Sequence, residues 1–227
     1  MIARTLLVCF PHVDDETPFV GTMVKHVQRG DRVVLVFATY GEMTSLFGDM
    51  SQEQIQKERQ AHAARLEEIL GCETRFLGFP DAGIGTSREE ALQIAALIAE
   101  LKPDALITYN PVRGHPDHRH LCELLRDAIT YARLPRLVAP ASAHRERVAF
   151  YVTYEPASPY PPMYVDVTGQ MEQIKAVMQI YADAYDWSVE GIVERRKADG
   201  AASGVEYAEK LSVMQGPQPA VDYLVRP

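Results

Sequence analysis

Four short apolar runs constrain this chain more than any other feature: Leu6-Leu7-Val8-Cys9-Phe10, Val33-Val34-Leu35-Val36-Phe37-Ala38, Ala105-Leu106-Ile107-Thr108-Tyr109 and Val148-Ala149-Phe150-Tyr151-Val152. None alternates apolar with polar residues, as a strand with one wet face does, so each reads as a strand buried on both faces. Helix-length text separates them. Residues 51 to 70 form the clearest helix, opening at Ser51 with Gln54 three residues on, a capping-box pattern, and closing at Gly71. Further helices are predicted from after Pro11 to about Gln28, over 88–101 and over 117–132, with a short strand near Arg75-Phe76-Leu77. Strands alternating with helical crossovers imply an α/β fold: a Rossmann-like, doubly wound, mostly parallel sheet with helices on both faces and strand order 3-2-1-4-5.

At 227 residues the chain reads as a single domain, 1–227. Residues 1–135 carry the parallel core, and 136–227 are expected to complete the sheet and the pocket. In that last part, prolines 156, 159, 161 and 162 make a stiff loop before a short strand around Tyr164-Val165-Asp166-Val167. Ile174, Val177, Met178, Tyr181 and Tyr185 then follow helical spacing and are assigned to core packing. Arg195-Arg196-Lys197 reads as a solvated helix face. The net charge of −8 argues against a nucleic-acid partner held by phosphate neutralisation. No stretch reaches membrane length. Cys9, Cys72 and Cys122 lack metal or redox spacing, which suits reduced thiols and a cytoplasmic protein. A homo-oligomer is left open.

Two histidine–aspartate clusters carry the chemistry. Pro11-His12-Val13-Asp14-Asp15-Glu16 follows the first strand, and Gly114-His115-Pro116-Asp117-His118 follows the fourth. In the expected strand order these two strands are neighbours at the point where the winding reverses, and doubly wound sheets bind ligands there. Two imidazoles and a carboxylate suit a catalytic zinc ion, or another divalent transition metal, with a fourth position open for water. His12 and Asp15, three apart at a helix start, can point to one side. Asp14 and His115 remain beside the ion to take a proton from water and to stabilise an oxyanion or protonate a leaving amine. Asp117 can orient the His115 ring or keep it protonated. The plainer reading, that Asp14, Asp15 and Glu16 only cap a helix, leaves the second cluster unexplained.

His12-Val13-Asp14-Asp15-Glu16 resembles the His-Pro-Asp-Asp-Glu signature of the PIG-L / LmbE-like N-acetylglucosaminyl de-N-acetylases, and His115-Pro116-Asp117-His118 matches their second signature. Leu77-Gly78-Phe79-Pro80-Asp81 and a closing Glu206-Tyr207-Ala208-Glu209 add to the likeness. The resemblance implies His12, Asp15 and His118 as metal ligands, Asp14 as general base, and His115 as the group that stabilises the tetrahedral intermediate or acts as acid. It also implies a zinc-dependent hydrolase that removes the acetyl group from a small N-acetylglucosamine conjugate. Cys9-Phe10-Pro11-His12 with Gly41-Glu42-Met43 is most similar to the family's bacillithiol-pathway deacetylases. The alternatives are a non-sugar amide or an ester hydrolysed at the same site, and a binding protein with a structural metal.

The chain departs from the family at Val13, where the signature has proline, and at His62, where a glutamate usually follows Arg59. Arg59, on an inward helix face with His62 and Leu66, is a candidate for holding a substrate hydroxyl or for pairing with a buried carboxylate. Arg113 stands where relatives place a tyrosine and suits an anionic substrate group. Asp81, in the turn after the third strand, reads first as a plain turn aspartate and otherwise as the third candidate substrate contact. Residues 39–50 form a long loop at the same edge, of the kind that closes over sites.

Overall fold

The apolar runs pair side by side. In the computed structural model, which describes residues 3–112, 114–139 and 142–216, β1 (Thr5–Phe10) lies between β2 (Arg32–Phe37) and β4 (Ala105–Thr108), parallel to both. β3 (Glu73–Phe76) adds beyond β2 and β5 (Ala149–Thr153) beyond β4, again in parallel. The expected 3-2-1-4-5 order is therefore observed. β6 (Pro162–Asp166) and β7 (Ala208–Gln215) extend the sheet to the order β3-β2-β1-β4-β5-β7-β6, with β7 antiparallel to both its neighbours.

Strand periodicity explains why β1 reads as a continuous apolar run. Leu6, Val8 and Phe10 point to one face and join a core with residues of α1 (Val20–Arg29), α2 (Gln52–Leu70) and α5 (Met171–Tyr185). Leu7 and Cys9 point to the other and pack with α3 (Arg88–Leu101) and α4 (Pro116–Ala132). Both serine caps of α2 and α3 form full capping boxes, Ser51 with Gln54 and Ser87 with Glu90. Of the expected stripe, Ile174, Val177 and Tyr181 lie in the first core, Tyr185 packs against it, and Met178 is also buried.

Two expectations are corrected. The helix after β1 begins only at Val20, because His12 to Glu16 form a turn and Thr17–Phe19, with Pro18, a 3₁₀ turn. Arg196 is not solvated. It lies on α6 (Val189–Ser203) at 2% exposure, 3.5 Å from the fully buried carboxylate of Glu209 on β7, and donates to the Thr17 carbonyl at 2.9 Å. Glu209 also accepts the N–H groups of Gly21 and Thr22 at 2.8 and 2.7 Å and the Thr22 hydroxyl at 2.6 Å. These amides lie in the first turn of α1, where helical partners are lacking, and Phe19 at the cap position supplies none. A carboxylate from the last strand thus caps the first helix.

Histidines without an evident role in the sequence find partners inside. His26 meets Asp31 at 2.7 Å, and His144 meets the Pro103 carbonyl at 2.9 Å. His62, on the inner face of α2, faces the Tyr185 hydroxyl at 3.4 Å. Burial, aided by the Arg59 and Arg65 charges, pulls its pKa down to about 4. The unfolded chain protonates this imidazole near pH 6.5, whereas the folded chain resists until about 4. Its stabilising contribution is therefore complete above pH 6.5 and is lost as pH falls through that window. Thermal melts from pH 7 to 4.5 should show a smaller fall in Tm for His62→Gln than for the natural protein; parallel curves would assign the acid sensitivity elsewhere.

Candidate active site

Both clusters sit at the C-terminal edge of the sheet. The His12–Glu16 turn leaves β1, and His115–His118 open α4 after β4, the strand hydrogen-bonded to β1. His115 is the N-cap residue, its Nδ1 accepting the Asp117 N–H at 3.3 Å, with Pro116 in the first turn of the helix. Gly114 precedes it at φ +97°, and a Cβ there would come within 3.2 Å of His118 Nδ1. Only glycine lets the backbone pass this close in that conformation.

The donor atoms converge as one ion requires. Asp15 Oδ2 lies 3.0 Å from His12 Nδ1 and 3.4 Å from His118 Nε2. It also accepts the His12 backbone N–H at 3.0 Å. Ligand atoms of His12, Asp15 and His118 all fall within 4.8 Å of one another. Bonds of about 2.0–2.2 Å around a tetrahedral zinc place ligand atoms roughly 3.3–3.6 Å apart, so the donor set fits. The Tyr109 ring lies flat on His118, centroids 3.8 Å apart and planes within 4°, and holds it in place. His12, His115 and Asp117 form a second possible donor group. The Asp117 carboxylate is already engaged, however, by the N–H groups of Ala82 at 2.8 Å and Ile84 at 3.3 Å.

Burial works to lower the pKa of His12, but the Asp15 and Asp81 carboxylates outweigh it and push it up to about 10. Asp15 is buried, which opposes its charge, yet His118 and His12 hold it well below the usual carboxylate range. Such a proton-rich, electronegative cluster is what a divalent cation displaces protons from.

Asp14 stands beside the triad in an unusual backbone state, φ +107°, which a non-glycine residue adopts only when its surroundings impose it. Those surroundings are visible. Its N–H donates to Glu16 Oε2 at 2.9 Å, and Glu16 Oε1 in turn accepts the Tyr181 hydroxyl at 2.6 Å. Glu16 is fully buried and braces the turn rather than capping a helix. Arg59 bonds the Val13 carbonyl and pairs with Asp14 Oδ2 at 2.8 Å. Arg59 is thus paired with a partly buried carboxylate, that of Asp14. Its guanidinium sits over the rings of Tyr185 and Phe47, at 5.0 and 5.4 Å. Burial and the Asp15 charge raise Asp14 to about 6, with Arg59 opposing.

The remaining candidates are placed as follows. Asp81 Oδ1 lies 3.0 Å from His12 Nε2, without the alignment of a hydrogen bond, while Oδ2 accepts the Met43 N–H at 2.8 Å. It therefore ties the turn after β3 to the loop after β2. Asp117 is 3.9 Å from His115 Nδ1, and its nearer partners are the backbone amides of residues 82 and 84. Its visible work is to anchor that turn to α4. Arg113 lies outside the described residues. His115 is half-exposed, at 44%. A cavity of about 420 Å³ is lined by Asp14, Asp15, Arg59, Asp81 and His115 together with Trp187, Met43 and Leu46. Sequence reasoning missed Glu16, Tyr181, Tyr185 and Trp187. The one available signal was the pair of tyrosines ending the helical stripe, whose hydroxyls need partners when buried.

Residues 7–129, which span both clusters, match the family model described as PIG-L: GlcNAc-PI de-N-acetylase. The chain belongs to the PIG-L family. A diacetylchitobiose deacetylase of Thermococcus kodakarensis is 29% identical, over 94% of this chain and 84% of the relative. A 1D-myo-inositol 2-acetamido-2-deoxy-alpha-D-glucopyranoside deacetylase of Mycolicibacterium vanbaalenii is 31% identical over 60% of this chain and 59% of its own length, so under two thirds of that relative is spanned. Among solved structures, a conserved protein from Thermus thermophilus superposes with a TM-score of 0.80, 27% identity, and coverage of 94% of this chain and 96% of the other. As a PIG-L member the chain is a deacetylase, a hydrolase of amide bonds. No helix among the described residues is long and apolar enough to cross a membrane.

Proposed function

We propose that this PIG-L protein removes the acetyl group from a small N-acetylglucosamine conjugate, releasing acetate and a free amine, with a zinc or similar divalent ion held by His12, Asp15 and His118. The observation that carries the reading is the placement of one carboxylate and one imidazole outside the donor triangle but on the same cavity: Asp14 and His115. A structural metal closed by protein ligands needs neither. When bound, the ion supplies Lewis acidity, polarising the amide carbonyl and acidifying water.

The chain's own groups do the rest. Asp14, fixed by Arg59 and Glu16, takes the proton of the attacking water. His115, exposed at the mouth, stabilises the oxyanion and passes a proton to the departing nitrogen. Asp117 and Asp81 hold the turn whose Ala82 lines the cavity. Arg59 and Asp81 present polar atoms to the sugar hydroxyls. The diacetylchitobiose and acetamido-glucopyranoside names of the relatives support the sugar as substrate.

The test is amine release from a panel of N-acetylglucosamine conjugates before and after removing metal with a chelator. Turnover should fall below detection in the stripped protein and return with about one equivalent of zinc. Undiminished turnover after metal removal, verified by elemental analysis, would overturn the mechanism. Bound metal with no sugar turnover would move the search to non-sugar amides and esters.

A further inference from the structure

Resting on that reading, we propose that Trp187 is the surface on which the pyranose ring of the substrate packs, so that it selects a sugar over an open-chain amide.

Trp187 is the only tryptophan in the chain. It stands alone between two helix ends: Asp186 closes α5 in the left-handed conformation at φ +60°, and Ser188 opens α6 by accepting the Gly191 N–H at 3.0 Å. Its backbone is thereby held on both sides. The indole is half-buried. Tyr185 meets it edge-on with centroids 5.5 Å apart, and Tyr181 lies tilted at 5.8 Å. These tyrosines also reach the catalytic turn, Tyr181 through Glu16 and Tyr185 beneath the Arg59 guanidinium. The ring is thus positioned by the network that positions Asp14, and it lines the same cavity as Asp14, Arg59 and Asp81.

The chemistry of this wall differs from that of the others. Beside the carboxylates, imidazoles and guanidinium, and the small or aliphatic Gly41, Met43, Leu46 and Ala82, Trp187 brings a partly exposed indole ring. A gluco-configured ring has a face built from axial C–H groups, with its hydroxyls directed around the rim. The negative face of an aromatic ring attracts such weakly positive hydrogens while removing apolar area from water. An amide on a flexible chain has no ring to place on the indole.

Because the chain has one tryptophan, its fluorescence reports this residue alone. Titrating methyl N-acetylglucosaminide into the zinc-loaded protein should change the emission saturably, and no change at concentrations approaching solubility would overturn the proposal. Trp187→Ala should raise KM for sugar conjugates about tenfold or more with kcat within about threefold, whereas Trp187→Phe should keep most of the affinity. An unchanged KM in Trp187→Ala would overturn the assignment, as would an equal rise in KM for an N-acetylated straight-chain amine. Saturable emission change without any deacetylation would leave Trp187 as a sugar platform and remove the proposed reaction instead.

Discussion

Asp14→Asn should lose about 10²–10⁴-fold in kcat, the usual contribution of a positioned general base, while binding metal as tightly as the natural protein. The substitution is close to isosteric. Its amide oxygen still accepts from Arg59, and its backbone N–H still reaches Glu16, so the strained turn survives. What is lost is the capacity to hold a proton. His118→Ala provides the contrast, since it removes a ligand and should lose metal and turnover together. Elemental analysis alongside single-turnover rates separates the two. An Asn variant retaining more than about a tenth of the activity would show that the proton goes elsewhere, with His115 the next group to test.

The second large effect concerns stability. Glu209→Ala should cost about 3–5 kcal/mol, the range found when one partner of a buried ion pair is removed. Arg196 would remain at 2% exposure without its counter-charge, and two α1 amides would lose their acceptor. Urea unfolding measures the difference directly. The double variant with Arg196→Met should be less destabilised than Glu209→Ala alone, because the stranded charge is gone. A loss under about 1 kcal/mol for Glu209→Ala would mean that water reaches the pair and that the cap contributes little.

Much of this molecule was legible in its sequence, and particular residues show why. The runs at β1, β2, β4 and β5 declare themselves because a strand covered on both faces must be apolar at every position. Adjacent β1 and β4 then bring the His12 and His118 clusters together across about a hundred residues, so topology explains the convergence. The resemblance is what singles out His12, Asp15 and His118 within it. The C-terminal part resisted for an equally physical reason. In α6 only Arg196 and Gly200 are buried, so the helix has no apolar stripe to announce it. A buried, ion-paired arginine is indistinguishable in sequence from a solvated one. The brace around Asp14 was hidden for the same cause: Glu16, Tyr181 and Arg59 meet only after folding. Asp81 and Asp117 were seen as chemistry-bearing residues, but their ties to backbone amides could not be read from composition or spacing.

The carboxylate that receives the α1 amides is 188 residues downstream of the first of them. Chains leave the ribosome N-terminus first, so all three donor side chains emerge long before Glu209 does. Until β7 inserts between β5 and β6, the helix behind the catalytic turn has an open end, and the strand that will separate those two neighbours is missing from the sheet. A prematurely terminated product therefore carries the full set of donors on an unfinished support. The long-range cap thus ties the helix that follows the His12–Glu16 turn to the last described strand.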